Sequence, residues 1–291
     1  MASRSETSPT DSGRAVAIGT FDGVHLGHRR VLETALATGR PVRVITFHPH
    51  PRSVVQGNLV DLVSTIERRI ELIRALGIDD VTVIPFTLEV ASREPEAFAA
   101  EQLADGDVVV AGEDFRFGTR RRGDLPLLEA LGYRVLAVPL LAGVSSSEIR
   151  RLVHDGDLAG AATQLGRPFE LDGTVVPGDQ RGGTLGYPTA NLALDPALLV
   201  PRYGIYAGAA SPVGGGQYRA AISIGTNPHY GGSERRIEPY LLDFEGDLYG
   251  QRLVVELWER LRDEQVFESE AELVAQIARD VERTRSAARP G

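Results

Sequence analysis

Residues 15–28 read Ala-Val-Ala-Ile-Gly-Thr-Phe-Asp-Gly-Val-His-Leu-Gly-His. Ala15–Ile18 is apolar throughout, as a strand covered on both faces must be. Gly19 to His28 then turns the chain and opens a helix. Further strands are expected at Val42–Phe47, Val81–Ile84, Val108–Ala111 and Arg134–Val138. Helical patterns lie between them. The clearest spans 61–76, where Leu62, Ile66, Ile70, Ile73 and Leu76 recur at helical spacing. Strand–helix–strand alternation implies an α/β domain with a parallel sheet of Rossmann-like type.

Beyond this run, residues 146–165 read as a helical stretch, with Ile149, Leu152 and Val153 on an apolar stripe that Ala161 to Leu165 continue. The pattern then changes. Short runs separated by Gly and Pro follow at Thr174–Val176, Ile205–Ala210, Tyr218–Ile224, Ile237–Asp243 and Leu253–Trp258. That spacing implies an all-β domain, an antiparallel barrel or sandwich. Residues 211–217 read as a hairpin loop. A last helix is expected over 269–284, with Leu273, Ile277 and Val281 on one side. The expected organisation is a disordered tail at 1–13, an α/β domain at 14–165 and a β domain at 166–291.

The formal net charge of -9 excludes a broad nucleic-acid-binding face, although one phosphate group needs only a local positive pocket. The chain has no Cys, which excludes disulfides, thiolate metal sites and thiol nucleophiles. It has no Lys either: all 31 cationic side chains are Arg. Phosphate chemistry here must therefore use Arg, His, main-chain amides and a metal. No apolar run approaches the ~18 residues of a membrane span. The first residues lack the apolar core of a secretory signal, so a cytoplasmic location and no membrane partner are expected.

Two clusters suit phosphate. His25 and His28, three apart at a helix start, share a face and flank Gly27, which lets backbone come close. Ser145, Ser146 and Ser147 open another helix, with Arg150 one turn in. Taken singly, the first could be a zinc pair and the second an ordinary helix cap. A third segment, Gly-Gly-Thr-Leu-Gly-Tyr-Pro-Thr-Ala-Asn at 182–191, has glycines that allow a tight wrap around phosphates. Thr189 and Asn191 are two apart and offer hard oxygen ligands for Mg²⁺. An ordinary Gly-Pro turn is the bland alternative.

Taken together these motifs resemble a known family. GxFDGxHxGH, the segment Asp114-Phe115-Arg116-Phe117-Gly118-Thr119-Arg120-Arg121-Arg122-Gly123-Asp124, and Ser145 to Arg150 resemble the FMN adenylyltransferase half of bacterial FAD synthetases, which are HxGH nucleotidyltransferases. LGRPF at 165–169, GTVVPGDQRGGTLGYPTAN at 173–191, IEPYLLDFEGDLYG at 237–250 and LRDEQVF at 261–267 resemble the riboflavin kinase module, a Greek-key barrel with a C-terminal helix. The resemblance implies riboflavin and ATP as substrates, Mg²⁺ as cofactor, FMN as product and then substrate, and FAD as final product. It implies that His25 and His28 stabilise the α-phosphate, with Gly19, Phe21, Asp22 and Gly27 in the same ATP site. Ser145, Ser146, Ser147 and Arg150 would hold the β- and γ-phosphates, and Asp114, Phe115 and Arg121 would shape the FMN pocket. In the kinase module Glu238 would be the general base. Gly186 and Pro188 would bind ATP, Thr189 and Asn191 the Mg-nucleotide, and Arg262, Glu264 and Phe267 the flavin.

The sequence departs from the family pattern in places. His48 stands where the family carries an acidic residue, Ser147 replaces a Thr, and Pro228-His229-Tyr230 replaces Pro-Thr-Phe. His48 keeps open an alternative: a riboflavin kinase whose adenylyltransferase half is inactive or altered. A non-catalytic flavin-binding protein is the further rival, and the presence of Glu238 and the PTAN loop argues against it. Oligomeric state is left open.

Overall fold

The structure is a computed structural model that describes residues 13–178, 185–226 and 235–291. Nearly all of the expected tail, the glycines and threonine at 182–184, and Pro228-His229-Tyr230 lie outside the described residues. The chain divides into two compact units, residues 1–60 with 69–142, and residues 61–68 with 143–291.

The first unit contains β1 (Ala15–Ile18), α1 (Leu26–Leu36), β2 (Val42–His48) and α2 (Pro51–Gln56). After α3 (Ile66–Arg74) come β3 (Asp80–Pro85), α4 (Leu88–Ser92), α5 (Pro95–Gln102), β4 (Val108–Gly112), α6 (Leu125–Ala130) and β5 (Arg134–Val138). All strands are parallel, in the order β3-β2-β1-β4-β5. Ala15 and Ala17 face one core with Val44 and Val110, while Val16 and Ile18 face another with Ile45 and Val109. Both faces are covered, which is why β1 tolerates no polar residue. The chain builds outward from β1 in one direction, then returns to build β4 and β5 on its other side. The strand order reverses beside β1, so a crevice is expected beyond its carboxyl end.

The second unit contains α7 (Ser146–Asp155), α8 (Leu158–Leu165), β6 (Phe169–Val176), β7 (Asn191–Leu194), β8 (Gly204–Pro212), β9 (Tyr218–Thr226), β10 (Arg235–Leu241), β11 (Arg252–Arg262) and α9 (Glu270–Ser286). Its strands are antiparallel in the order β10-β9-β8-β11-β6-β7. The consecutive strands β8, β9 and β10, with β11 returning beside β8, form a Greek key. Ala190 N–H donates to Pro239 O (2.9 Å) and brings the two ends together into a nearly closed barrel. One apolar cluster fills it, including Phe169, Leu171, Tyr206, Ile222, Ile224 and Leu257. The turn after β8 closes where Gly215 N–H donates to Pro212 O (2.9 Å).

Two expectations are corrected. The helix expected over 61–76 begins only at Ile66. Leu62 is instead extended: its N–H donates to Ala197 O (2.6 Å), its carbonyl accepts from Leu199 N–H (2.8 Å), and its side chain enters the barrel's core. Strand β7 was not expected, because four residues flanked by Pro and Asp carry too little pattern.

Candidate active sites

The first site grows from the end of β1. Gly19 N–H still donates to Ile45 O (3.1 Å), and then the chain turns sharply. Phe21 (φ 48°), Gly23 (φ 80°) and Val24 (φ 41°) are left-handed, and Val24 N–H closes the turn onto Phe21 O (3.0 Å). Such a conformation costs an ordinary L-residue about 1–2 kcal/mol, so Phe21 and Val24 must be held by their surroundings. Burial of both side chains supplies part of that hold. A buried ion pair supplies another part: Asp22 and Arg69, each 1% exposed, lie 3.6 Å apart. Arg69 also donates to Phe47 O (3.1 Å), and Thr46 Oγ1 donates to Thr20 O (2.9 Å).

The turn delivers two imidazoles to the start of α1. His25 is its N-cap, and Nδ1 accepts from His28 N–H (3.2 Å). That hydrogen bond leaves the proton of neutral His25 on Nε2. The two rings stack at 3.5 Å, and Phe21 meets His28 edge-on at 5.4 Å. Both imidazoles, the helix amides and Gly27 thus gather at one point. Asp22 is turned inward to Arg69. His48 lies half-buried at the end of β2.

On the segment 114–124, Phe115 stacks on Phe117 (5.5 Å) and opens a row of rings through Phe98, Phe47 and Phe86. Phe117 and Gly123 form a two-bond bridge that closes the loop. Gly118 is left-handed (φ 67°), and a Cβ there would meet Pro95 at 2.7 Å. Arg120 and Arg121 are also left-handed, and both are exposed, as is Asp114.

Ser145, Ser146 and Ser147 begin α7, within the second unit. Ser145 Oγ accepts from Glu148 N–H (3.1 Å), and Arg150 Nε donates to Asp61 O. Arg151 pairs with Glu148 and holds that carboxyl below the usual glutamate range.

The kinase-type site lies where the barrel nearly closes. Ile237, Pro239 and Leu241 of β10 point into the barrel, so Glu238 and Tyr240 lie on its other face. Tyr187 packs edge-on against Tyr240 (5.4 Å), and Ala190 bonds to Pro239. The stretch from Gly186 through Pro188 and Thr189 therefore runs beside the strand that carries Glu238. Asn191 begins β7 opposite Val176. Its amide lies where a Cβ on Gly178 would sit, 2.0 Å from Nδ2, so only glycine fits there. Glu238 itself is half-buried, with Arg236 at 3.8 Å.

Past β11 the chain forms a flap. Arg262 ends the strand, its guanidinium 5.8 Å from the Phe267 ring. Glu264 lies against Gly225 of β9. Burial pushes its carboxyl up, and the charge of Arg262 pulls the other way. Val266 is fully exposed.

Two family models match the chain. One, FAD synthetase, covers residues 7–148, and the other, riboflavin kinase, covers 165–288. A bifunctional riboflavin kinase/FMN adenylyltransferase from Listeria monocytogenes is 34% identical, over 95% of this chain and 93% of the relative. The chain belongs to this bifunctional family. Relatives of the same description from Bacillus subtilis (35% identity, 91% and 89% coverage) and Escherichia coli (34%, 92% and 90%) agree. A crystal structure described as a macrolide-efflux protein from Streptococcus pneumoniae matches with a TM-score of 0.83 at 30% identity, covering 97% of this chain and 96% of that one. Both modules of the bifunctional family are present, the parallel-sheet α/β unit and the nearly closed barrel.

Sequence reasoning missed Arg69 and also Asp280, a buried carboxylate that pairs with Arg262 (2.8 Å). Arg69 left a faint trace: it shares a helical face with Ile66 and Ile73, where a charge is out of place unless it is paired inside. Asp280 left none that could be told from a solvated helix carboxylate.

Proposed function

We propose that the protein phosphorylates riboflavin to FMN at the barrel and adenylylates FMN to FAD at the HxGH turn, with ATP as the donor in both steps. The observation that carries this reading is the PTAN segment running beside the strand that bears Glu238. A primary alcohol is a poor nucleophile near neutral pH. Glu238 takes the proton from the ribityl 5′-hydroxyl, the oxygen attacks the γ-phosphorus of ATP, and ADP leaves. Thr189 Oγ1 and Asn191 Oδ1 are hard donors that fit Mg²⁺, which would neutralise phosphate charge when bound. Gly186 and Pro188 shape the nucleotide's approach. Arg262, Glu264 and Phe267 cover the flavin.

In the second reaction a phosphate oxygen of FMN attacks the α-phosphorus of ATP, and pyrophosphate leaves. No covalent enzyme intermediate is needed. His25, His28 and the amides around Gly19 and Gly27 stabilise the charge that develops on the α-phosphate. Phe21 and Asp22 keep the turn in shape. Ser145, Ser146, Ser147 and Arg150 take phosphate-holding roles, and Asp114, Phe115 and Arg121 take flavin-holding ones. We assign residues 14–165 to the adenylyltransferase and 166–291 to the kinase. No described helix is long and apolar enough to cross a membrane, and a cytoplasmic site of action suits these small-molecule substrates.

Chromatography of products from riboflavin and Mg-ATP tests the reading. FMN should rise first and FAD should follow. Accumulation of FMN alone, with added FMN left unconverted, would overturn the adenylyltransferase half.

A further inference from the structure

The most buried groups on α9 are not its apolar stripe. Leu273, Ile277 and Val281 are half-buried, whereas Asp280 is 3% exposed and Thr284 fully buried. Both oxygens of Asp280 are engaged. Oδ2 accepts from Nε and Nη2 of Arg262 (2.9 and 2.8 Å), and Oδ1 accepts from Gln276 (2.9 Å). The third arm of the same guanidinium, Nη1, donates to Asp263 O (2.9 Å). Its Cζ lies over the Phe267 ring, 5.8 Å from the ring centroid. One guanidinium thus fixes the first residue of the flap and one of its rings, and one carboxylate fixes the guanidinium.

Other contacts also dock α9. Arg219 donates to Thr284 O (2.9 Å) and Ala287 O (2.8 Å). Arg283 donates to Leu261 O (2.9 Å), and Arg285 grips Asp243 through two bonds (2.7 and 2.8 Å). Arg289 grips Glu256 in the same way just past the helix (2.8 Å each). With four other arginine anchors holding the helix, the distinctive consequence of Asp280 falls on Arg262 and, through it, on the flap.

We propose that Asp280 is a positioning residue of the kinase site: it holds Arg262 in the plane that presents Phe267 to the flavin. The inference rests on the assignment of Arg262 and Phe267 to the flavin pocket. Asp280→Asn keeps the shape of the side chain and removes the charge that locks the fork. Without the lock the ring is free to leave its place, and binding of riboflavin weakens before the chemistry does.

The test is a cycle of Asp280→Asn, Phe267→Ala and the double variant in the full-length protein. It reads kcat and KM for riboflavin, FMN adenylylation and the melting temperature. Each single change should raise the riboflavin KM about tenfold, near what one ordered aromatic–aromatic contact is worth. The double variant should be little worse than either single one, because both act through the same ring. In Asp280→Asn the kcat at saturating riboflavin and the rate of FMN adenylylation should stay within about twofold. A residue that merely docked α9 would lower the melting temperature and leave that KM alone. Asp280→Glu, which keeps the charge on a longer arm, should fall between wild type and Asp280→Asn. It carries the same cycle if Asp280→Asn fails to fold. An unchanged KM in Asp280→Asn beside a raised KM in Phe267→Ala overturns the positioning role alone. An unchanged KM in Phe267→Ala overturns the pocket assignment and this inference with it. Full additivity in the double variant also overturns the inference.

Discussion

At the scale of single residues, the HxGH turn is braced by a buried ion pair. Asp22 reads in the sequence as part of a nucleotide-binding motif, and in the structure it pairs with Arg69 at a turn with two non-glycine residues in the left-handed region. Asp22→Ala would leave a guanidinium buried without its carboxylate, a loss of about 3–5 kcal/mol. Denaturant unfolding should show that loss. If the variant lost less than 1 kcal/mol on the order of a surface change, the pair would not be what holds the turn. The turn that brings His25 and His28 to the start of α1 was legible because an apolar strand, a glycine-containing turn and a helix start leave a local pattern. Arg69 was obscured by its neighbour: in Glu67-Arg68-Arg69 nothing local says which guanidinium turns inward, and Arg68 in fact pairs with Glu170 (2.8 Å).

Among the elements, the long apolar strands and the last helix stood out in the sequence, and the short or doubly used segments did not. Residues 61–65 carry helical periodicity but are drawn out of the helix by bridges to the barrel, a long-range bond that no local pattern encodes. The C-terminal residues show a related case. Burial pushes the carboxyl of Glu256 up, but hydrogen bonds from Arg289 and Trp258 and the charge of Arg289 outweigh it and hold the group below its ordinary range. A depressed folded-state value means that the pair contributes in full above the unfolded glutamate value of about 4.3. The contribution is lost as pH falls through the lower, folded value. Melting temperatures of wild type and Arg289→Ala should therefore differ near neutral pH and converge in acid. Curves that stayed parallel down to strongly acidic pH would show that the pair adds nothing. Gly118→Ala tests a third element, the flavin-side loop. Its left-handed φ and the close Pro95 predict loss of both stability and FMN adenylylation, with riboflavin phosphorylation spared.

For the molecule as a whole, two kinds of patterning made the two folds readable. Continuous apolar strands alternating with helices gave the parallel sheet, and short runs punctuated by Gly and Pro gave the barrel. With no lysine in the chain, the proposed account assigns triphosphate once to imidazoles at a helix start and once to the hydroxyl and amide oxygens of Thr189 and Asn191. The most direct test gives folded Glu238→Ala two substrates in parallel, riboflavin with Mg-ATP and FMN with Mg-ATP. The account predicts no FMN from the first and an undiminished yield of FAD from the second. FMN formed at the wild-type rate, or FAD lost along with it, would contradict the assignment of the two reactions to separate sets of residues.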